Sequence, residues 1–317
     1  MCCFARAVSF VGGTHIFARL SGAGTQFLVY QMEYKSEEPN AMILPLPVKL
    51  PPQEDSIRFI DLSDYEDFFE DFAKAFPFRG GGFACAAPPS ATSLAVHEVG
   101  NFVASFVPTM DDFDRLDKQF VIPKTTWEKI PIYKDYGFAV FQLRELSGTP
   151  HPMAFEFKTR SDEIFFPTVH IHDGNVYPRE RFDHTLYLQH AGFDSVVGKY
   201  TSFPDNTTGF VRSEFAAKQV CNLEKAQGII APDLLIHRVD LAGSQENKDM
   251  IYAAKGSPTV PSFNVNQWVK YWPWTVLAAA FAWLFYRRNR LRQLKRKKSD
   301  SETDSVTDEN LGWFDFL

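Results

Sequence analysis

"ARAVSFVGGTHIFARLSGAGTQFLVYQMEY", residues 5–34, decides the fold class. Its three runs, ARAVSFV, THIFARL and TQFLVYQMEY, are separated by the Gly-bearing breaks GGT and SGAG. β-Branched and aromatic residues fit a pleated, half-buried surface, and Gly between such runs marks the turns of a β-meander. "AMILPLPV", residues 41–48, adds a further strand, and GFAVFQLREL (137–146), MAFEFK (153–158) and IFFPTVHIHDGNVY (164–177) repeat the composition. The 31 Phe among 317 residues point the same way. The expectation is a β-dominated α+β domain over residues 1–254, with antiparallel sheets and a few short helices.

The helical signals are few. In "SDYEDFFEDFAKAF", residues 63–76, Ser63 with Glu66 three positions on forms a capping-box pattern. Tyr65, Phe68, Phe69, Phe72 and Phe76 recur at helical spacing as one apolar stripe. The acids between Asp61 and Asp71 lack the glycine and spacing of an EF-hand, so they read as a solvated face. "DDFDRLDKQF" (111–120) predicts a short helix, and "SEFAAKQVCNLEKA" (213–226) a further one. Residues 77–92, "PFRGGGFACAAPPSAT", are a Gly/Pro/Ala-rich break and a candidate internal boundary.

The C-terminal part has a different chemistry. "YWPWTVLAAAFAWLFY", residues 271–286, carries no charge, and extension back to Trp268 brings it close to the length of a membrane span. Trp268, Tyr271, Trp272 and Trp274 border one end, and Trp283 and Tyr286 the other, like the aromatic belts of a spanning helix. Residues 287–298, "RRNRLRQLKRKK", follow with Arg287, Arg288, Arg290 and Arg292 among eight cations and no acid. This predicts a juxtamembrane linker at 255–267, a transmembrane helix at 268–286 and a basic-then-acidic disordered tail at 287–317. The implied partners are the lipid bilayer at 268–286 and anionic lipid at 287–298. A protein partner is compatible with the same layout. Nucleic acid is not expected, because the net charge of −6 leaves an acidic body with one short basic block.

The side of the membrane is balanced between two arguments. The positive-inside bias keeps the basic block in the cytoplasm and so places the large domain outside. "MCCFARAVSF" shows no basic n-region and no apolar h-region, which tips the expectation narrowly towards a cytosolic domain.

Two sets of residues are candidates for chemistry. Cys2, once Met1 is trimmed, would carry a free α-amine beside its thiol, the arrangement of an N-terminal-nucleophile hydrolase. In an oxidising compartment Cys2 or Cys3 could instead pair with Cys85; in a reducing one the thiols are simply partly buried. In "HIHDGNVY", Asp173-Gly174 is a two-residue hairpin signal, and His170 and His172 project from one face of the preceding strand. Two imidazoles on one face could start a metal site completed by Asp173, Asp183, His184 or His190; polar residues on the solvent face of a hairpin explain the same pattern. No GxSxG, HExxH, Walker or dinucleotide fingerprint occurs, and no pattern names a cofactor.

The order of motifs "THIFARLSGAGTQFLVYQMEYKSEEPNAMILPLPV", "VHEVGNFVASFVP", "DDFDRLDKQFVIP", "YKDYGFAVFQL" and "PMAFEFKTRSDEIFFPTVHI" resembles an uncharacterised bacterial family. Its members are β-rich, often anchored at the C-terminus, with N-terminal cysteines and a "VLPLPV"-like segment. The likeness covers about residues 14–172. It implies fold, membrane attachment and an extracytoplasmic domain, and it transfers no site residues. The functional expectation is a membrane-tethered binding or scaffold module, with a Cys2-dependent hydrolase as the rival.

Overall fold

The computed structural model describes residues 3–76, 98–99 and 102–253. Along the chain, β1 (Cys3–Phe4), β2 (Val8–Leu20), β3 (Thr25–Ser36), β4 (Asn40–Leu46) and β5 (Ile57–Ile60) precede α1 (Phe68–Lys74). Then come β6 (Glu98–Val99), β7 (Phe102–Val107), α2 (Lys124–Trp127), β8 (Gly137–Leu143), β9 (Ser147–Gly148) and β10 (Met153–Lys158). β11 (Ile164–Phe166), β12 (Arg179–Leu188), α3 (Ala191–Val196), β13 (Val211–Ala216), β14 (Leu235–Glu246) and β15 (Met250–Tyr252) complete it.

The strands form a five-stranded sheet, β1-β4-β8-β7-β6, and an eight-stranded sheet, β13-β14-β12-β2-β3-β10-β5 with β9 beside β3. A small sheet pairs β11 with β15. The fold is β-dominated with short helices, as the composition predicts, but the large sheet is mixed. β12 runs parallel to β2, with His184 opposite Thr14 and Leu188 opposite Ala18. A parallel pair cannot be closed by a tight turn, and here most of the domain forms the crossover.

The large sheet is buried on both faces. Ile16, Leu28, Tyr30, Phe155 and Leu186 face the five-stranded sheet and join Ile43, Phe102 and Phe141 in the main core. Their neighbours Phe17, Val29, Ala154 and Tyr187 point the other way, into a second core under α1. Two-sided burial removes the apolar/polar alternation of a solvated strand, which is why "FLVY" is continuously apolar.

α1 covers the second core with the stripe read from the sequence: Tyr65, Phe68, Phe69, Phe72 and Phe76 are all buried. Its start differs from the expectation. The helix begins at Phe68 after Asp67, without a side-chain cap. Residues 62–68 instead make tight turns, Tyr65 N to Leu62 O at 2.9 Å and Phe68 N to Tyr65 O at 3.2 Å. Those turns let the Tyr65 hydroxyl reach Asp71 Oδ2 at 2.7 Å and accept from Asn222 N at 2.9 Å. Asp71 is thus a buried partner rather than part of a solvated face.

Three further expectations are corrected. GGT is not a turn: β2 runs through it with register shifts, and Gly13 adopts φ +57°. A β-carbon on Gly12 would lie 2.8 Å from the Phe10 ring, and Gly13 N donates to Asp183 Oδ2 at 3.0 Å. The result is a bulge that bends one strand instead of ending it. Residues 213–226 are not an α-helix but the end of β13, a short 3-10 turn at Ala217–Gln219 and loop. The 111–120 helix resolves into two 3-10 turns, Met110–Arg115 and Lys118–Phe120.

The 77–92 break, the 255–267 linker, the 268–286 span and the 287–317 tail lie outside the described residues. Among the described residues, no helix is long and apolar enough to cross a membrane.

Candidate functional site

The expected hairpin at HIHDGNVY does not form. Only Ile164–Phe166 is a strand, and it pairs with β15 rather than β12. Asp173 closes a local turn, accepting from Asn175 N at 3.0 Å and from the Tyr177 hydroxyl at 2.9 Å, with Gly174 at φ +78°. Residues 167–172 are therefore an irregular segment whose backbone groups need partners from elsewhere.

They find them on two sides. The turn between β14 and β15 supplies side chains: Asp249 Oδ1 accepts from Thr168 N at 2.8 Å and Val169 N at 3.2 Å. Asn247 accepts from His170 N at 2.7 Å and donates to His170 O at 3.1 Å and Tyr177 O at 2.9 Å. On the other side lies β1. Cys3 bridges Ile171 in parallel register, Phe4 N donates to Ile171 O at 2.9 Å, and Val8 N donates to His172 O at 3.2 Å. β1 also pairs antiparallel with β4, Cys3 opposite Ile43 and Phe4 opposite Met42. β1 is thus the edge strand of the five-stranded sheet, and the histidine segment lies along its free side.

This contact with β1 buries His170 and half-buries His172. His170 is 0% exposed, against the expectation of a solvent-facing pair, because Ile171 and Val169 are buried as well. The parallel β2/β12 pairing then adds His184, which sequence spacing offers only as one of several completing residues. The His170 ring stacks on His172 at 5.2 Å, on His184 at 5.2 Å and on Phe182 at 4.3 Å. Both ring nitrogens of His170, Nε2 of His172, Nε2 of His184 and Oγ1 of Thr14 are buried without a hydrogen-bond partner among the described residues.

Stacked rings hold their nitrogen lone pairs in parallel planes, whereas a metal needs them aimed at one point. No group of three or more His, Cys, Asp or Glu among the described residues is arranged to hold a metal ion. We read the three imidazoles as a packed aromatic stack. Burial pushes the His172 pKa down to about 4 and lowers that of His170 further. Both are neutral at pH 7.

Asp249 is the electrostatic counterpart. Burial raises its carboxyl to about 6, although the Tyr133 hydroxyl at 2.7 Å and the Thr168 and Val169 amides favour the charged form. A second titratable pair, half-buried and not signalled by the sequence, joins α3 to β14. His237 Nε2 lies 2.7 Å from Asp194 Oδ1, and Asp194 Oδ2 accepts from Leu235 N at 3.2 Å. His237 is fully buried, so this pair pins the helix.

Of the cysteines, Cys3 is buried in the main core with its thiol 3.8 Å from Val169 O. Burial first, then Asp71, pushes the Cys221 thiol up to about 12. Cys2 and Cys85 lie outside the described residues, and with them the proposed nucleophile and the Cys3–Cys85 pairing.

No protein-family model matches the chain, and no curated protein matches it. Among solved structures, baculovirus P35 is similar over 79% of this chain and 98% of its own, at 15% identity and a TM-score of 0.42. P35 in a caspase-8/P35 complex is similar over 76% and 95%, at 13% identity and a TM-score of 0.37. At these scores the likeness carries no argument about what this chain does.

Proposed function

We propose that the chain is a membrane-tethered, β-rich binding or scaffold module. The observation that carries this reading is the uncharged run at 271–286, bordered by aromatic residues from Trp268 to Tyr286 and followed at once by a block with eight cations. A buried core segment rarely has such a block at its end, whereas a spanning helix commonly does. The ligand would be met by the β-rich domain, and the basic block would add attraction to anionic lipid.

The full chain is expected to stay with the membrane pellet after alkaline carbonate washing, and a chain lacking residues 268–286 to be released. Release of the full chain by carbonate would overturn the tether. Protease added to sealed vesicles then reports which side carries the domain.

The rival, Cys2-dependent hydrolysis, separates cleanly in a thiol-labelling experiment. Cys221 is expected to react far more slowly than an exposed thiol at neutral pH, since its raised pKa leaves almost no thiolate. Fast labelling that disappears in Cys2→Ala would favour the hydrolase; labelling no faster than an ordinary exposed thiol favours the binding module.

A further inference from the structure

We propose that the His170–His172–His184 stack is an acid-sensitive latch, whose protonation releases residues 167–178 from β1 and from the Asn247–Asp249 turn while both main sheets stay folded. The geometry carries it. Three imidazoles lie within stacking distance, His170 and His184 buried and His172 half-buried, and none of the four nitrogens named above has a hydrogen-bond partner among the described residues. A charge placed there is desolvated and meets a second imidazole 5.2 Å away. The segment that carries two of the rings is irregular, so it can leave without breaking a strand of either main sheet.

The groups facing His170 and His172 do not offset the burial of such a charge. β1 presents the Phe4 ring, 6.4 Å from His172, while the Cys3 thiol lies 3.8 Å from Val169 O. β2 presents Thr14, and β12 presents Phe182 and Asp183, whose half-exposed carboxylate lies 3.9 Å from His184 Nδ1. Asp173, beside His172 and close to solvent, raises the affinity of His172 for a proton, yet burial outweighs it. On the far side, Asn247 is uncharged, and Asp249 is engaged by Tyr133 and two amides.

The signs are opposed and can be weighed. His170 and His172 have folded pKa values below 6.5, so the latched state loses stability as pH falls through 6.5. On going from pH 7.5 to 5.0, each imidazole that reaches water favours release by about 30-fold. Asp249, raised to about 6, binds its proton more tightly when latched and opposes release by roughly ten-fold over the same interval. The imidazoles win, and the net is about 100-fold.

Hydrogen–deuterium exchange of the full-length chain at pH 7.5 and 5.0 tests this. After correction for intrinsic rates, peptides containing the Phe4, Val8, Thr168, Val169 and His170 amides are expected to exchange about 100-fold faster at pH 5.0. Peptides from β8 should not change. His172→Phe keeps the stack and removes one proton site, and should cut the increase to about three-fold. No increase, an equal increase in β8, or an increase undiminished in His172→Phe would each overturn the latch. Should that variant not fold, the wild-type comparison between the clamp peptides and β8 decides by itself.

Discussion

Phe141→Ala is expected to lower the unfolding free energy by about 3–5 kcal/mol, the cost of an aromatic truncated in a core that cannot collapse around it. Phe141 sits on β8 and is fully buried between the two large sheets. Its ring meets Phe102 of the same sheet edge-on at 5.3 Å, and it crosses to Phe59 at 5.6 Å and Phe155 at 5.9 Å on the opposing sheet. Removing it leaves those three rings facing a void. Loss of dispersion contacts therefore adds to the lost transfer energy. Phe203→Ala is the control: at 78% exposure the ring has little to lose, and the change should stay within about 0.5 kcal/mol. Denaturant midpoints at unchanged slope report both. A loss below about 1 kcal/mol for Phe141→Ala would mean that the sheets are not held together at this ring.

Asp249→Ala should cost several kcal/mol, while Asp249→Asn should cost less than about 1 kcal/mol at pH 7. Alanine strands the Tyr133 hydroxyl and the Thr168 and Val169 amides, at about 1–3 kcal/mol for each buried group left unsatisfied. Asparagine keeps an oxygen for the two amides, and its nitrogen can donate to the Tyr133 hydroxyl, which then accepts. It also removes the cost of ionising a buried carboxyl. The folded pKa of about 6 exceeds the ordinary carboxylate value, so this group stabilises the fold only as pH falls below 6, and the ionised form is a burden at neutral pH. The rise in stability from this group between pH 7 and 4 should vanish in Asp249→Asn. Equal destabilisation by both substitutions would show that the hydrogen bonds are not what matters there.

Much of the architecture could be read along the chain, where local composition and burial agree. The apolar stripe from Tyr65 to Phe76 covers a core as its spacing requires. Runs such as GFAVFQL and MAFEFK became β8 and β10, because their shortness and aromatic content favour a buried strand over a helix. The misreadings share a cause. GGT reads as a turn when the chain is viewed locally, but Phe10 and Asp183 close over Gly12 and Gly13 and keep β2 continuous. The Ser63 capping box is a sound local signal that lost to the hydrogen bonds joining Tyr65 to Asp71 and Asn222, the latter 157 positions away.

The histidine segment shows the division most clearly. The order of residues by itself determined a β-rich chain, a Phe-lined helix and two histidines two positions apart. Whether those histidines face water or the core depended on partners distant in the chain: β1 more than 160 positions before them, Asn247 and Asp249 more than 70 after, and His184 brought in by a parallel strand pairing. An alternating pattern specifies which residues share a face. It does not specify whether that face is covered, because covering comes from long-range packing that no local spacing encodes.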